Sequence, residues 1–293
     1  MVLIQQIVNG VMLGSTYSLI AIGYTLVFGV LHLVHLAHGE VFMIGAFIGL
    51  QVVLLAGGGV TAAIAASALS GAAAGIAIYL VAIKPIRARK GHFLAPMIST
   101  IGAGVVLQEL ATRTFGGEQV GFPVQMDSQI WHFGGVTLTS VQIVILLVSL
   151  GLMLALHLFV TMTRVGMAMR ATAESMTISH TLGIRSERII ILTFAIASAL
   201  AGVAGVLVGM SFNSISPYMG VDMGINGLAA MLLGGLGNVY GAMIGGLVIG
   251  VVEVISVAYL ASSYRDAFAF LVIIAVLLLR PRGIFGSTDH VEA

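Results

Sequence analysis

The sequence predicts an all-α polytopic membrane protein with about eight or nine membrane elements, including broken or re-entrant helices. Three observations support this prediction. Apolar residues make up 59% and charged residues only 8% of the 293-residue chain, against roughly 25% charged residues in ordinary soluble domains. Several apolar stretches exceed the ~20 residues that a helix needs to cross the hydrocarbon core. Most of the 38 glycines fall within apolar stretches, where small residues allow membrane helices to pack closely.

Taken in order, nine stretches have the length or the apolarity of membrane elements. We place them at 4–30, 37–56, 60–83, 93–115, 139–161, 188–212, 224–240, 241–261 and 266–280. The first ten residues contain no lysine or arginine, unlike the start of a cleaved signal peptide, so we expect the first stretch to be retained. The absence of cysteine excludes disulfides and thiolate metal sites. We treat 1–293 as a single transmembrane domain.

The distribution of lysine and arginine predicts which connections face the cytoplasm. Basic residues are concentrated in 84–92, in 162–187 and after the last apolar stretch, whereas 116–138 and 213–223 contain none. Basic connections tend to stay on the cytoplasmic side, so we predict that the first two connections and the C-terminus lie inside. The other two connections are then periplasmic. Counting helices back from Lys84 places the N-terminus outside, and we expect a bacterial inner membrane.

The predicted periplasmic connection at 116–138 is too long and too polar for a tight turn. Its alternation of apolar and other residues predicts a small β-hairpin. The hairpin could contact an external partner, or it could serve only as a cap over the helices.

Two glycine-containing patterns predict interruptions within membrane elements. Residues 39–42 (GEVF) and 237–240 (GNVY) each precede a glycine-rich apolar stretch, and the C-terminus lies inside only if 224–261 folds back near 234–241. Transporters use interrupted helices to build binding sites near the membrane midplane, because irregular backbone is stable there only when it lines a cavity or is buried. We predict that the breaks line a translocation path, with close helix packing as the alternative. The predicted path residues are Thr25, His38, Glu40, Asn226, Asn238 and Tyr240.

Glu40 and Glu253 are the carboxylates most clearly inside apolar stretches, and an intramembrane acid is a functional hypothesis by default. Glu40 has a second explanation, because a carboxylate in the first turn of a restarting helix interacts favourably with the helix dipole. Glu253 would need no special role if it lay near the outer end of its helix. Both explanations stay open at this stage.

His32, His35 and His38 recur every three residues, which raises the hypothesis of a zinc site. Such a series drifts around a helix, however, and Gly39 predicts that the helix breaks there. The sequence contains no H-E-x-x-H motif. We expect these side chains to pack and to form hydrogen bonds at the inner mouth, without a metal.

The chain contains no phosphate-binding loop, because neither of its two lysines, Lys84 and Lys90, is followed by Ser or Thr. Few acids lie deep in the apolar stretches, which weakens a proton- or sodium-coupled mechanism without excluding it. An external motor would need a docking surface, and 164–188 is the long charged segment of this chain. It predicts a short amphipathic helix ending at Gly183, which could lie on the membrane surface or enter a groove of a partner.

Long segments of the chain resemble the permease subunits of high-affinity branched-chain amino acid ABC importers of the LivH type. The resemblance extends over nearly the whole chain, in the same order. The matching segments are 9–30, 37–46 (AHGEVFMIGA), 182–207, 232–250 (LLGGLGNVYGAMIGGLVIG) and 258–286. It implies a permease that is not an enzyme and binds no cofactor itself. The implied partners are a second related permease, two cytoplasmic ATPases that bind ATP and Mg²⁺, and a periplasmic substrate-binding protein received by 116–138 and 213–223.

The resemblance also implies that the ATPase-docking helix lies near 166–184. The docking residues implied in this way are Arg170, Ala173, Glu174, Ser175, Thr181, Leu182 and Gly183. The uncharged segment 175–180 (SMTISH) departs from the family pattern. Related permeases are thought to carry urea, short amides and small organic acids as well as branched-chain amino acids, and helix sequence does not separate these substrates.

Two other functions remain as alternatives. A stand-alone channel or secondary transporter would take up solute without ATP or an ATPase partner. An intramembrane metalloenzyme is a more distant alternative, and metal analysis of the purified protein would test it.

Overall fold

The computed structural model describes residues 2–89, 92, 94–123, 129–133, 136–259 and 265–286. The helices are α1 Val2–Leu31, α2 His38–Ala56, α3 Val60–Ile78, α4 Lys84–Ala88, α5 Ala95–Phe115, α6 Ser140–Met162, α7 Arg164–Glu174, α8 Met176–Thr181, α9 Ser186–Phe212, α10 Met219–Gly234, α11 Val239–Tyr259 and α12 Arg265–Leu279. A π-helical turn, Tyr79–Ile83, joins α3 to α4. The strands are β1 Val120–Gly121, β2 Ile130–Phe133, β3 Val136–Thr139 and β4 Ser214–Ile215.

The predicted all-α membrane fold is confirmed. Within the described residues, six helices are long and apolar enough to cross a membrane: α1, α2, the continuous helix formed by α3 and α4, α6, α9 and α11. All nine predicted elements are helical, and most boundaries agree within a few residues. The bounds of α10 differ most, because the helix runs from Met219 to Gly234 and not from 224 to 240. Asp222 favours a helix there from its place in the first turn.

Helix α1 is the central element of the bundle. It is buried without interruption over 12–27, as expected for a helix that is apolar all round. Close approach to α11 depends on glycine: a Cβ on Gly14 would lie 2.7 Å from Leu247 Cα, and one on Gly250 would collide with the backbone of Gly14. Glycine also allows α2 to pack closely against α9, because a Cβ on Gly45 would collide with Gly202. These contacts confirm that many glycines serve close packing.

The two connections without basic residues meet at one end of the bundle. β1 pairs with β4, so that Val120 lies opposite Ile215, and β2 and β3 form the predicted antiparallel hairpin. The start of α1 lies at this end too. Gln5 Nε2 donates to the Thr137 carbonyl at 2.9 Å, and the Thr137 amide donates to Gln5 Oε1 at 2.7 Å.

Basic connections meet at the opposite end. Lys84 forms an ion pair with Glu187, and Arg87 Nη2 contacts Met176 Sδ at 3.3 Å. The segment 280–286 behind α12 packs against the turn between α10 and α11 through two backbone hydrogen bonds of 2.9 and 3.0 Å. This arrangement agrees with the predicted grouping of connections on two sides.

The prediction of a single amphipathic helix ending at Gly183 is wrong in one respect. Two helices, α7 and α8, meet at Ser175, whose backbone is extended (φ −156°, ψ 112°). The Ser175 hydroxyl accepts a hydrogen bond from the Ile178 amide at 3.3 Å and so caps α8. Gly183 does follow the helix C-terminus with a left-handed φ of 83°, as predicted.

Candidate functional site

The connection between α1 and α2 is a break beside the core of the bundle. α1 ends at Leu31, and His32 adopts a left-handed φ of 54°. The predicted break at Gly39 is therefore displaced, because Gly39 lies in the first turn of α2. The reason is packing: a Cβ on Gly39 would collide with the Gly220 carbonyl. Glycine is needed at this position for contact with α10, and the break precedes it.

The three histidines of this region do not come together as a metal site. His35 and His38 are buried with ring centroids 5.8 Å apart, whereas His32 is exposed. Among the described residues, no group of three or more His, Cys, Asp or Glu side chains is close enough to hold a metal.

A cavity of about 110 Å³ lies beside this break. Its lining comes from α1, α2, α10 and the break: Tyr24, Leu36, Glu40, Gly220, Val221, Gly224, Ile225 and Leu228. Glu40 is only 6% exposed, and its Oε2 has no hydrogen-bond partner among the described residues. The N-termini of α2 and α10 meet here, because Gly39 contacts both Gly220 and Gly224. Two helix N-termini thus converge near a buried carboxylate, an arrangement that favours its negative charge.

Two predicted path residues lie at or beside this cavity, and a third, Thr25, follows the lining residue Tyr24 in α1. Glu40 lines the cavity directly. His38 is fully buried, and its ring centroid lies 4.7 Å from that of Tyr24. Thr25 is buried on α1, and its hydroxyl has no hydrogen-bond partner among the described residues.

Asn226 belongs to a separate buried polar cluster. The Tyr17 hydroxyl donates to Glu253 Oε1 at 3.1 Å, and Asn226 Nδ2 donates to the Tyr17 oxygen at 3.5 Å. Glu253 is buried in the half of α11 that ends at Tyr259, so its position toward that end of the helix does not leave it exposed. The contribution of Tyr17 could not be found from sequence, because nothing in an apolar helix reveals which tyrosine faces another helix.

We expect Tyr17→Phe to lower stability by about 1–2 kcal/mol, because the substitution removes a buried hydroxyl that contacts two polar side chains. Thermal inactivation of the detergent-solubilised protein, followed by size-exclusion chromatography, measures the effect. Tyr240→Phe is the matched control, since the Tyr240 side chain is largely exposed. Equal losses from the two variants would contradict a special contribution from the buried cluster.

Asn238 and Tyr240 lie at the second break, at the opposite end of α11 from Glu253. Asn238 Oδ1 accepts from the Gly241 amide at 3.0 Å, and its Nδ2 donates to the Phe285 carbonyl at 2.9 Å. The side chain therefore caps α11 and holds the C-terminal segment. Tyr240 lies 3.3 Å from His157 Nε2, hydroxyl to ring nitrogen. The break itself is confirmed at 235–238, with left-handed φ angles at its glycines.

A second cavity, of about 350 Å³, opens at the end of the bundle that carries the hairpin. Four of its lining residues are polar: Gln6, Asn9, Gln142 and Ser211. Sequence reasoning missed this cavity, because isolated amides near helix ends give no pattern until the helices are assembled.

The predicted docking residues lie in and directly after α7 and α8, and most of them are exposed. Arg170, Glu174, Thr181, Leu182 and Gly183 are exposed, while Ala173 and Ser175 are half-buried. Leu182 is 73% exposed, and the neighbouring Ile178 is 61% exposed. These exposed apolar side chains lie beside the exposed charged side chains of α7, a mixture that occurs in protein interfaces.

A series of ring contacts runs from the basic end toward the Glu40 cavity. Tyr79 in the π-helical turn lies 5.2 Å from Phe194, centroid to centroid, and Phe194 lies 5.3 Å from His35. The series continues through His38 to Tyr24, with centroids 5.8 and 4.7 Å apart. Tyr79 is only five residues before Lys84, which pairs with the start of α9. Ring contacts therefore extend from the π-helical turn at the basic end to Tyr24, which lines the cavity.

Comparison with known proteins identifies close relatives. The profile of the family described as branched-chain amino acid transport system, permease component, matches residues 6–277. The high-affinity branched-chain amino acid transport system permease protein LivH of Salmonella typhimurium is 41% identical over 304 residues, covering 98% of this chain and 96% of the relative. The corresponding protein BraD of Pseudomonas aeruginosa is 42% identical over 299 residues, with the same coverage. A probable LivH of Methanocaldococcus jannaschii is 30% identical over 96% of this chain and 92% of the relative. No solved structure matched the chain significantly.

Proposed function

This chain belongs to the family of branched-chain amino acid transport permease components, and from that premise we propose that it forms part of the membrane path of an ATP-driven importer for branched-chain amino acids. The observation that supports the substrate is the 41–42% identity to LivH and BraD over 98% of the chain. The permease would alternate between states open to either side of the membrane.

The energy would come from partner subunits. An ATP-driven permease that lacks a phosphate-binding loop of its own would take its energy from a partner, and the exposed residues of α7 and α8 offer a place for one. We propose two cytoplasmic ATPases that bind ATP and Mg²⁺, a second related permease, and a periplasmic substrate-binding protein. The binding protein would contact the hairpin end, where 116–123 and 213–215 meet.

The proposed orientation follows from the basic residues. In the inner membrane of a bacterial cell, the end that contains 84–89, 164–187 and 280–286 would face the cytoplasm. The N-terminus would lie on the periplasmic side. The proposed path includes the Glu40 cavity and its neighbours Thr25 and His38. Asn226, Asn238 and Tyr240 remain candidates at other levels of the bundle.

Uptake by the source cells tests this function. Cells lacking the gene are expected to lose high-affinity uptake of leucine, isoleucine and valine, and a plasmid copy should restore it. Uptake of urea and of short carboxylic acids is measured in parallel, because some related permeases are thought to carry these solutes and not amino acids. Unchanged leucine uptake together with lost urea uptake would contradict the proposed substrate.

Vesicles distinguish an ATP-driven importer from a stand-alone channel. Proteoliposomes that contain this chain alone are expected to show no leucine uptake, whereas the assembled importer with external binding protein and internal ATP should accumulate it. Equilibration of leucine by the chain alone, without ATP, would favour the channel.

A further inference from the structure

Glu40 combines three properties that rarely occur together in a membrane helix. Its side chain is more than nine-tenths buried, it lines a cavity, and its Oε2 has no hydrogen-bond partner among the described residues. A buried carboxylate without a partner is costly, and an intramembrane acid of this kind indicates a site for a ligand or a proton.

The walls of the cavity leave space at the carboxylate. Gly220 lies against Glu40, and a Cβ at that position would come within 2.6 Å of Oε2. A Cβ on Gly224 would lie 3.3 Å from the Tyr24 hydroxyl. Glycine at both positions therefore keeps the carboxylate and the hydroxyl accessible from inside the cavity.

The mouth of the cavity is apolar and opens on the side of α10. Val221 is 46% exposed and Ile225 is 42% exposed, and both line the cavity. The cavity thus has a negative group at its base and aliphatic side chains at its opening. This polarity matches a molecule with a cationic head and an aliphatic tail.

We propose that Glu40 binds the α-ammonium group of an amino acid as it passes through the permease, an assignment that rests on the proposed function. A volume of about 110 Å³ accommodates an ammonium group and the carbon that bears it, so the aliphatic chain would lie at the mouth beside Val221 and Ile225. A charge-assisted hydrogen bond from the ammonium to Oε2 satisfies the buried oxygen.

A purely structural role for Glu40 makes a different prediction. As a first-turn carboxylate it would stabilise the N-terminus of α2 through the helix dipole. Its replacement would then change stability, and the response of the cavity to ligands would stay the same. A test must therefore read out occupancy of the cavity.

Cysteine labelling provides that readout, because the natural chain contains no cysteine. Ile225→Cys places a thiol at the mouth, and its reaction with a water-soluble maleimide is followed on this chain in the importer assembled in proteoliposomes. The three probes are leucine, 3-methylbutylammonium, which keeps only the ammonium, and 4-methylpentanoate, which keeps only the carboxylate. Glu118→Cys, at an exposed position of the hairpin end, is the control for reagent access.

We expect leucine and 3-methylbutylammonium to slow labelling of Ile225→Cys by roughly tenfold when present at about ten times Kd. 4-Methylpentanoate should have little effect, and labelling of Glu118→Cys should not respond to any probe. Adding Glu40→Gln should weaken binding of both ammonium compounds roughly tenfold, since a hydrogen bond to a charged group is lost. Glu40→Asp, which keeps the charge, should retain part of the protection.

Three results would overturn the assignment. They are equal protection by 4-methylpentanoate, protection that survives Glu40→Gln, and a failure of Ile225→Cys to react in any state, which would mean that the mouth is closed to the aqueous path. If Glu40→Gln does not assemble, the comparison of the three probes in the Glu40 background still decides. Failure of the proposed function is recognised separately, as absence of ATP-driven leucine uptake by the unmodified importer.

Discussion

Glu174→Arg combined with Gly183→Pro is expected to abolish ATPase co-purification and to lower ATP-driven uptake by roughly tenfold or more, because interface residues at the centre of a contact often contribute about 2 kcal/mol or more. Glu174 is exposed at the end of α7, so the substitution reverses a charge on the proposed docking surface. Gly183 has a φ of 83°, which proline cannot adopt. The double variant therefore changes both the charge and the shape of this surface.

A second variant separates docking from local unfolding. Leu182→Asp changes no glycine and places a charge at a side chain that is 73% exposed, directly after α8, so it should weaken docking with little loss of folded permease. Glu118→Arg repeats the charge reversal of Glu174→Arg at the opposite end of the bundle, and it is the matched control for that substitution. Pull-down of the ATPase and vesicle uptake are the measurements. If both survive Leu182→Asp and the double variant, the docking surface is elsewhere.

The order and the extent of the membrane helices could be predicted because they depend on local composition. Runs of apolar residues set the spans, and the breaks at 235–238 and behind α1 follow clusters of glycine and polar residues. The hairpin at 130–139 could also be predicted, because apolar residues alternate with other residues in this connection. The grouping of connections on two sides, predicted from charge alone, agrees with the contacts of Lys84 with Glu187 and of β1 with β4.

The candidate site was only partly predictable, because its geometry depends on which helices pack together. Glu40 and His38 were found as polar residues in an apolar stretch. The contact between Gly39 and Gly220, which brings α10 against α2 beside the cavity, joins residues that are 181 positions apart. Asn238 shows the converse: its sequence context indicated a path residue, whereas its hydrogen bonds stabilise the start of α11. Whether it also contacts solute stays a prediction.

The docking surface and the cavity can be coupled only if the helices between them move as packed units. Side chains in contact transmit small displacements because a close-packed interior has few voids. The ring contacts from Tyr79 through Phe194 and His35 extend from the basic end toward the cavity, and π-helical turns such as the one that contains Tyr79 are frequent at functional sites. The glycine contacts between helices would set the limits of that movement.

Gly250→Val is expected to reduce the yield of folded permease strongly, with a loss of about 3 kcal/mol or more in stability from overpacking. A Cβ at this position would collide with the backbone of Gly14, and a backbone atom cannot be displaced by a change of rotamer. α1 is the central helix, so separation from α11 would also open the buried contact of Tyr17 with Glu253. Such a loss is a large part of the 5–15 kcal/mol that stabilises a typical protein.

Matched substitutions show whether collision, and not the loss of glycine itself, is the cause. Gly151→Val on α6 and Gly102→Val on α5 add the same side chain where a Cβ would meet nothing within 4 Å, and both should be recovered at near-normal yield. Gly45→Val, which collides with Gly202 on α9, should behave like Gly250→Val. Monodisperse yield after detergent extraction distinguishes the two pairs. Comparable yields for all four variants would show that the α1–α11 and α2–α9 contacts are looser than the structure indicates, because only close backbone contact makes one pair of glycines irreplaceable.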